Sequence, residues 1–249
     1  MKQNFLAYSK YYDLLYHDKD YQSEINYIIN LLKEVAPKAI NILELGSGTG
    51  IHGLLLNSAG YNVFGVERSN EMALIAKNKG FECHVCDIIN YKTDKRYDVV
   101  MSLFHVVSYL TSNQDLTSVF KNAHNHLNKD GVFVFDVWYT PAVYEQKAQL
   151  RLKKMEDEEC EITRIANPVI DYNNHIVNVE FTVIVKDKKN NQFNELFEAH
   201  PMRHFSFNEI LFLAHISGFE LIKSEEFLTG NNPSQKTWGV CFVLKKVVN

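Results

Sequence analysis

No stretch of this 249-residue chain is apolar enough to span a bilayer. Its opening residues, MKQNFLAYSKYYD, lack a charged-then-apolar leader layout. An excess of basic charge is also missing. Lys and Arg number 26 against 30 Asp and Glu, a net of −4, so no global positive field draws the chain to nucleic acid or anionic lipid. The short runs RLKK at 151–154 and KDKK at 186–189 sit beside acids or turn residues and read as solvated faces. Cysteine is scarce: Cys83, Cys86, Cys160 and Cys241 are all there is. The C-x-x-C of Cys83 and Cys86 has no second pair at zinc-ribbon spacing. It lies in FECHVCDI, which reads as a buried strand, so these are expected to be core thiols. Internal repeats and low-complexity linkers are absent too. These absences point to a reduced, soluble, cytoplasmic protein with no metal, membrane or nucleic-acid partner.

What is present is a core. Hydrophobic residues make up 46% of the chain, enough for one large domain with an insertion. EINYIINLLKEVA carries Ile25, Ile28, Ile29 and Leu32 at helical spacing. From INILEL to VFVFDVW, five strand-like segments alternate with helical ones, which implies βαβ units and a mostly parallel sheet. Ser69 is placed to cap the helix that ends at Gly80. After about residue 158 the pattern changes to alternation. In IVNVEFTVIV, Val177, Val179, Phe181, Val183 and Val185 point one way and Asn178, Glu180 and Thr182 the other, as in a half-wet antiparallel strand. SFNEILFLAHISG reads as a helix with a Ser206–Glu209 capping box. FELIKSEEF and TWGVCFVLKK then form an expected antiparallel pair. The organisation expected is a single domain over 1–249, with a segment at 1–36 that covers the cofactor and a β-rich insertion at 138–205 that caps the substrate.

The segment ILELGSGTGIHG at 42–53 breaks a strand into four glycines. Gly48, Gly50 and Gly53 fit the dinucleotide pattern G-x-G-x-x-G, which would imply NAD and hydride transfer. Gly46, Gly48 and Gly50, with Glu44 two residues ahead, fit E-x-G-x-G-x-G. That reading starts at the strand end, Leu45, and is the more specific. It places the amino-acid tail of S-adenosylmethionine on the loop, with its carboxylate near free N–H groups. Glu67, ending the second strand, can accept from both ribose hydroxyls. Asp87, ending the third, can take the adenine amino group, with Ile88 against the ring. No second nucleotide-binding half is evident.

ELGSGTG, VERS with Met72, CDI, YDVVMSLFHVVSYL and LNKDGVFVFDV, in that order, resemble the motifs of class I S-adenosylmethionine-dependent methyltransferases over roughly residues 40 to 137. The resemblance implies an α/β, Rossmann-like seven-stranded sheet whose last strand is antiparallel. It also implies S-adenosylmethionine as cofactor, S-adenosylhomocysteine as product, and contacts from Glu44, Gly46, Ser47, Gly48, Glu67, Arg68, Met72, Asp87, Ile88 and Leu103. The tyrosine-rich start and the C-terminal motifs resemble the small-molecule branch, which includes nucleotide-sugar and glycine-type N-methyltransferases. In that branch the opening segment folds over the cofactor, which nominates Tyr12 and Tyr16.

Methyl transfer from a sulfonium requires alignment and desolvation, and orientation alone contributes about 7–11 kcal/mol. A hydroxyl acceptor needs a base, whereas an amine need only be neutral. His105 follows the fourth strand and is placed for that task, with Tyr109 one turn later; a histidine that only packs or orients the acceptor is the alternative. Asp136 and Trp138 are expected to line the acceptor side, Asp136 otherwise capping a loop. His200, Arg203 and His204 either grip an anionic acceptor or are ordinary surface residues. His200 and His204 lack a third metal ligand at telling spacing. The acceptor expected is a small polar molecule, amine or hydroxyl, with a nucleotide-linked or glycan-related sugar suggested by the resemblance. The rivals are an NAD-dependent oxidoreductase and a non-catalytic S-adenosylmethionine-binding protein. A homodimer through the β insertion is left open.

Overall fold

The computed structural model describes residues 11–247, so the first ten residues of the expected covering segment lie outside the described residues. Strand β1 is Asn41–Leu45, β2 Asn62–Glu67, β3 Cys83–Val85, β4 Tyr97–Ser102 and β5 Leu127–Tyr139. Late in the chain, β10 is Phe219–Glu226 and β11 Gly239–Lys246. Among the described residues these seven form a central sheet in the order β3-β2-β1-β4-β5-β11-β10. The β1–β2, β1–β4, β2–β3 and β4–β5 pairings are parallel, and β11 runs antiparallel to both β5 and β10. This is the expected sheet with its reversed last strand.

The apolar run Val132–Phe135 is fully buried, because helices cover both faces of this part of the sheet. Helix α2 (Tyr21–Val35) starts where Asp20 accepts the Ser23 N–H at 2.9 Å, and it buries Ile25, Ile28, Leu31 and Leu32. Helix α3 is Ile51–Ser58. Helix α4 (Asn70–Asn78) has Ser69 as its cap, accepting from Met72 N at 3.2 Å. Helix α5 (Asn113–His126) turns Leu116, Val119, Phe120 and Ala123 inward. FECHVCDI departs from expectation. It forms the sheet edge, three residues long, with Cys83 buried, Cys86 half-buried and Val85 exposed. An edge strand has a partner on one side only, so its outer residues meet solvent.

Between β5 and β10, β6 (Arg151–Glu156), β7 (Cys160–Asp171), β8 (Ile176–Asp187) and β9 (Phe193–Phe205) pair antiparallel in chain order. Three turns, at 157–159, 172–175 and 188–192, join them. The last residues of β9 join the main sheet, where His204 and Phe205 pair in parallel with Trp138 and Tyr139. Sequence patterning missed two elements here: β6, hidden in the basic run, and helix α6 (Thr140–Gln146), which has Pro141 in its first turn. Helix α1 (Tyr12–Leu15) buries Leu15 against Met155, Ile162, Val183 and Val185 of the second sheet. Helix α7 is Phe207–Ile216. No helix is long and apolar enough to cross a membrane among the described residues.

Candidate functional site

The carboxyl ends of the central strands open into a cavity of about 850 Å³. Its far wall is the second sheet, through Pro168, Val179, Phe181 and Met202. Most residues nominated from sequence meet here. Gly46, Ser47 and Gly48 form one wall, Glu67, Arg68 and Met72 a second, Asp87 and Ile88 a third. Leu103, His105, Tyr109 and Trp138 line the opposite side, with Tyr12 and Tyr16 from α1 and His200 from β9. Glu44, Asp136, Arg203 and His204 do not line it, and each needs a corrected account.

The loop after β1 is shaped by packing as much as by a ligand. Gly46 has φ +76°, and a Cβ on it would lie 2.5 Å from Val106. Gly48, at φ +55°, faces open space. Gly53 and Gly65 both abut the Phe81 ring, which wedges between α3 and the sheet, so the third glycine of the dinucleotide pattern is a helix–sheet contact. The free N–H groups expected of this loop are absent at its first positions. Gly46 and Ser47 donate to Val66 O at 2.8 and 3.1 Å, Gly48 to Glu67 Oε2 at 3.0 Å, and Gly50 to Ser47 O at 2.9 Å. Helix α1 is tied to the same loop, because Asp13 accepts from Thr49 at 2.9 Å and from Lys79 at 2.7 Å.

Glu67 is held by two backbone donors, Gly48 N on one oxygen and Ser69 N on the other at 2.8 Å. Each oxygen keeps a second lone pair, so a fixed carboxylate is presented to a diol. Burial raises its pKa, and those two N–H groups partly oppose the rise. Asp87 holds Ile89 N at 3.0 Å through Oδ1. Glu44 sits behind the loop instead of in the cavity. Burial first, then the charge of Glu67, push its carboxyl up to about 8, against the donation of Gly53 N–H. Next to it, His52 Nε2 lies 2.7 Å from Glu24 Oε2, and burial lowers the imidazole's pKa. Lys19, also bonded to Glu24, supplies the counter-charge.

Two imidazole–carboxylate pairs reach the cavity from different sheets. On one side, Asp136 is 1% exposed and accepts the His105 backbone N–H at 3.2 and 3.3 Å, while its Oδ2 lies 2.6 Å from the imidazole Nδ1, an ion-pair contact out of line for a hydrogen bond. Burial alone would raise the Asp136 pKa, but the His105 ring and backbone outweigh it and hold it low. The carboxylate lies beneath the imidazole, not on the acceptor wall. Nδ1 thus faces the carboxylate, and Nε2 is the ring atom turned from it for cavity chemistry. His105 holds a left-handed φ of +60°, a conformation that costs a non-glycine residue energy and is retained where it aims a side chain. Trp138 and Trp238 meet edge to face beside it.

On the other side, His200 Nε2 lies 3.1 Å from Glu198 Oε2 and its Nδ1 2.9 Å from the Tyr109 hydroxyl. A carboxylate only accepts, so His200 donates to Glu198 at Nε2 and accepts the Tyr109 O–H hydrogen bond at Nδ1. Burial raises the phenol's pKa. His200 is 2% exposed and His204 fully buried, so neither is the surface residue its sequence context allows. Strand spacing of four puts the two on one face, but β9 leaves the second sheet for the main sheet between them, so they enter different networks. His204 Nδ1 pairs with Thr140 Oγ1 at 2.9 Å, and its ring stacks on His175. Arg203 bonds Thr111 O, Asn113 and Glu209 outside the cavity. That contact also corrects the capping box: Ser206 does accept Glu209 N at 3.3 Å, but the Glu209 carboxylate goes to Arg203. The cavity's arginines on the second sheet are Arg151 and Arg164, which sequence reading missed. The signal was alternation within RLKK, which puts Arg151 and Lys153 on one face of a strand.

A family model described as a methyltransferase domain matches residues 17–171. A dTDP-3-amino-3,4,6-trideoxy-alpha-D-glucopyranose N,N-dimethyltransferase of Streptomyces venezuelae is 25% identical over 213 residues, covering 84% of each protein. A dTDP-3-amino-3,6-dideoxy-alpha-D-glucopyranose N,N-dimethyltransferase of Streptomyces fradiae is 28% identical over 134 residues, and the chain spans about half its length, 52%. Among solved structures, a S-adenosylmethionine-dependent methyltransferase from Clostridium acetobutylicum superposes with a TM-score of 0.81 at 22% identity, covering 97% of this chain and 100% of that one. The sugar N-methyltransferase KedS8 from Streptoalloteichus gives 0.82 at 21%, covering 95% and 93%. These structural likenesses establish a shared fold.

Proposed function

Because this chain belongs to the methyltransferase-domain family and is a S-adenosylmethionine-dependent enzyme of it, we propose that it methylates the amine of a small amino sugar, carried on a nucleotide. The observation that carries the reading is one cavity holding both Glu67, fixed by two backbone N–H groups, and the His105–Asp136 pair. The names of the relatives support a sugar amine as the acceptor.

The residues present fit the cofactor. Gly48 is open toward the cavity, Glu67 offers two lone pairs to a ribose diol, and Asp87 with Ile88 lies where an adenine would be read. The amides of the loop are mostly used internally, so the amino-acid tail would be held by other groups lining this wall, among them Arg68 and Thr49. When bound, S-adenosylmethionine supplies an electrophilic methyl group. The chain supplies the rest. Tyr12 and Tyr16 close one side, and the second sheet over residues 138–205 caps the acceptor. Phe104 and Trp138 flank the His105 ring, backed by Tyr16 and Trp238 respectively, and give it apolar surroundings. Desolvation there disfavours an ammonium and so favours the neutral amine that must attack. His105 Nε2 takes the proton the ammonium loses, and Asp136 stabilises the resulting imidazolium. Tyr109, with His200 behind it, offers a second polar contact to the acceptor.

Self-association through the outer face of the second sheet is part of the same proposal. Leu152, Phe193 and Phe197 are exposed there at 58%, 68% and 71%, an apolar content that solvent disfavours. The experiment that tests the function is incubation with labelled S-adenosylmethionine and a panel of nucleotide-linked amino sugars against their hydroxyl counterparts. Mass gain confined to the amines is expected. Transfer to the hydroxyl counterparts alone would overturn the choice of acceptor atom, and no binding of S-adenosylhomocysteine by calorimetry would end the reading.

A further inference from the structure

The cavity-facing side of β6 and β7 concentrates positive charge. Lys153 and Arg164 are direct cross-strand partners, and Arg151, opposite Ala166, is the next residue on that face. Like charges opposite one another destabilise a sheet pair, and diagonal neighbours stay within reach of long side chains, at roughly 7–8 Å. Lys153 is compensated, because its Nζ bonds Asp18 and Leu15 O. The one acid in the Arg151 row is Glu198, reached through Ala166 and Phe181, and it is turned to His200. Arg151 has no ion-pair partner among the described residues. Arg164 is held in place by aromatic faces, its guanidinium 5.4 Å from the Tyr16 ring and 5.2 Å from the Phe181 ring. Both arginines line the cavity. The acids that line it, Glu67, Asp87 and Asp115, belong to the central fold and outnumber the one arginine there, Arg68, so the cavity is net acidic on that side and basic on the second sheet.

We infer that Arg151 and Arg164 form an anion subsite that takes the phosphoryl groups of the acceptor. Basic side chains gathered on one face of a strand pair break a local rule of sheet stability, and Arg151, with no ion-pair partner among the described residues, leaves charge there that a bound anion would balance. Arginine suits the task, since its planar fork matches phosphate oxygens and stacks on aromatic rings. A phosphorylated handle held there would extend from the second sheet while its sugar reaches His105 and Trp138. The subsite rests on the methyltransferase reading for its purpose, not for its existence.

The test titrates inorganic pyrophosphate, and separately uridine 5′-diphosphate, into protein preloaded with S-adenosylhomocysteine. Wild type is compared with Arg151→Gln, Arg164→Gln and Lys154→Gln, the last on the outer face of β6. Each arginine change should weaken pyrophosphate by about tenfold or more, the scale of losing a charge-assisted hydrogen bond, and Lys154→Gln should leave it unchanged. Arg151→Lys, which keeps the charge without the fork, should fall between. Tighter binding of the nucleoside diphosphate than of pyrophosphate supports a nucleotide-linked handle, and equal binding supports a simple phosphate ester at the same subsite. The inference is overturned if neither anion binds wild type, or if the arginine variants and Lys154→Gln bind alike. The loading step reports separately: failure to bind S-adenosylhomocysteine sinks the methyltransferase reading, and its retention in the variants shows that they are folded.

Discussion

Oδ2 of Asp136 lies 2.6 Å from Nδ1 of His105, while the same carboxylate accepts the His105 backbone N–H. One buried acid thus holds the backbone of one cavity histidine and sets a negative charge against its ring. Asp136→Asn would turn its amide oxygen to the backbone N–H and its NH₂ to Nδ1, which forces the ring proton onto Nε2. With an ammonium acceptor, His105→Ala should lower kcat by about 10²–10⁴-fold, the range of a general base. Asp136→Asn should cost a large part of that. Both losses should shrink at high pH, where the acceptor loses its proton unaided, and S-adenosylhomocysteine affinity should hold. A loss that does not change with pH would make His105 a packing residue.

Glu67 offers a second measurement. Its two oxygens each accept a backbone N–H, so Glu67→Gln sets an amide NH₂ against Gly48 N or Ser69 N. Donor facing donor displaces the loop and removes an acceptor for the ribose. S-adenosylhomocysteine affinity should drop by about 10–100-fold, equivalent to roughly 1.5–3 kcal/mol for a hydrogen bond to a charged group. Calorimetry reads this directly, and an unchanged affinity would place the diol elsewhere.

Local pattern carried the central sheet because its signals are local: apolar runs, the Ser69 and Ser206 caps, and glycines at forced turns. It carried Glu67, Asp87 and His105 into one cavity because strand ends in a parallel sheet converge. It failed where depth along a strand and the path of the strand decide. Asp136 and Trp138 sit two apart on β5, but only Trp138 lines the cavity. His200, Arg203 and His204 read as one cluster, yet the strand sends them to three different networks. The Glu198 and Arg164 contributions depend on the register of β6 to β9, where a slip of one residue would turn each side chain to the opposite face.

Gly53 is constrained by its neighbours more than by its own conformation. A Cβ there would meet the Phe81 ring and Glu44 Oε2. Gly53→Ala should therefore destabilise the fold by about 1–3 kcal/mol through overpacking, although alanine favours helices. Adding Phe81→Leu should recover part of the loss, a coupling that urea denaturation of the double-mutant cycle would read. Simple additivity would show that the two side chains do not compete for that space.

Glu44 makes stability fall with pH in a window where most carboxylates are silent. Its carboxyl titrates near about 8 in the fold against 4.5 for an unperturbed glutamate. Between those values the folded state holds a proton that the unfolded chain has released. The contribution is therefore complete below 4.5 and is lost as pH rises through about 8. The total is on the order of a few kcal/mol, at about 1.4 kcal/mol per unit of pKa difference. Glu44→Gln keeps a neutral side chain at every pH, so wild type should weaken relative to it between about pH 5 and 8. Urea midpoints measured for both proteins across that range check the sign, and parallel curves would rule the buried proton out. Because the charge of Glu67 is the second cause of the rise, Glu67→Gln should narrow the window from its upper end, linking the acid behind the loop to the one that faces the cavity.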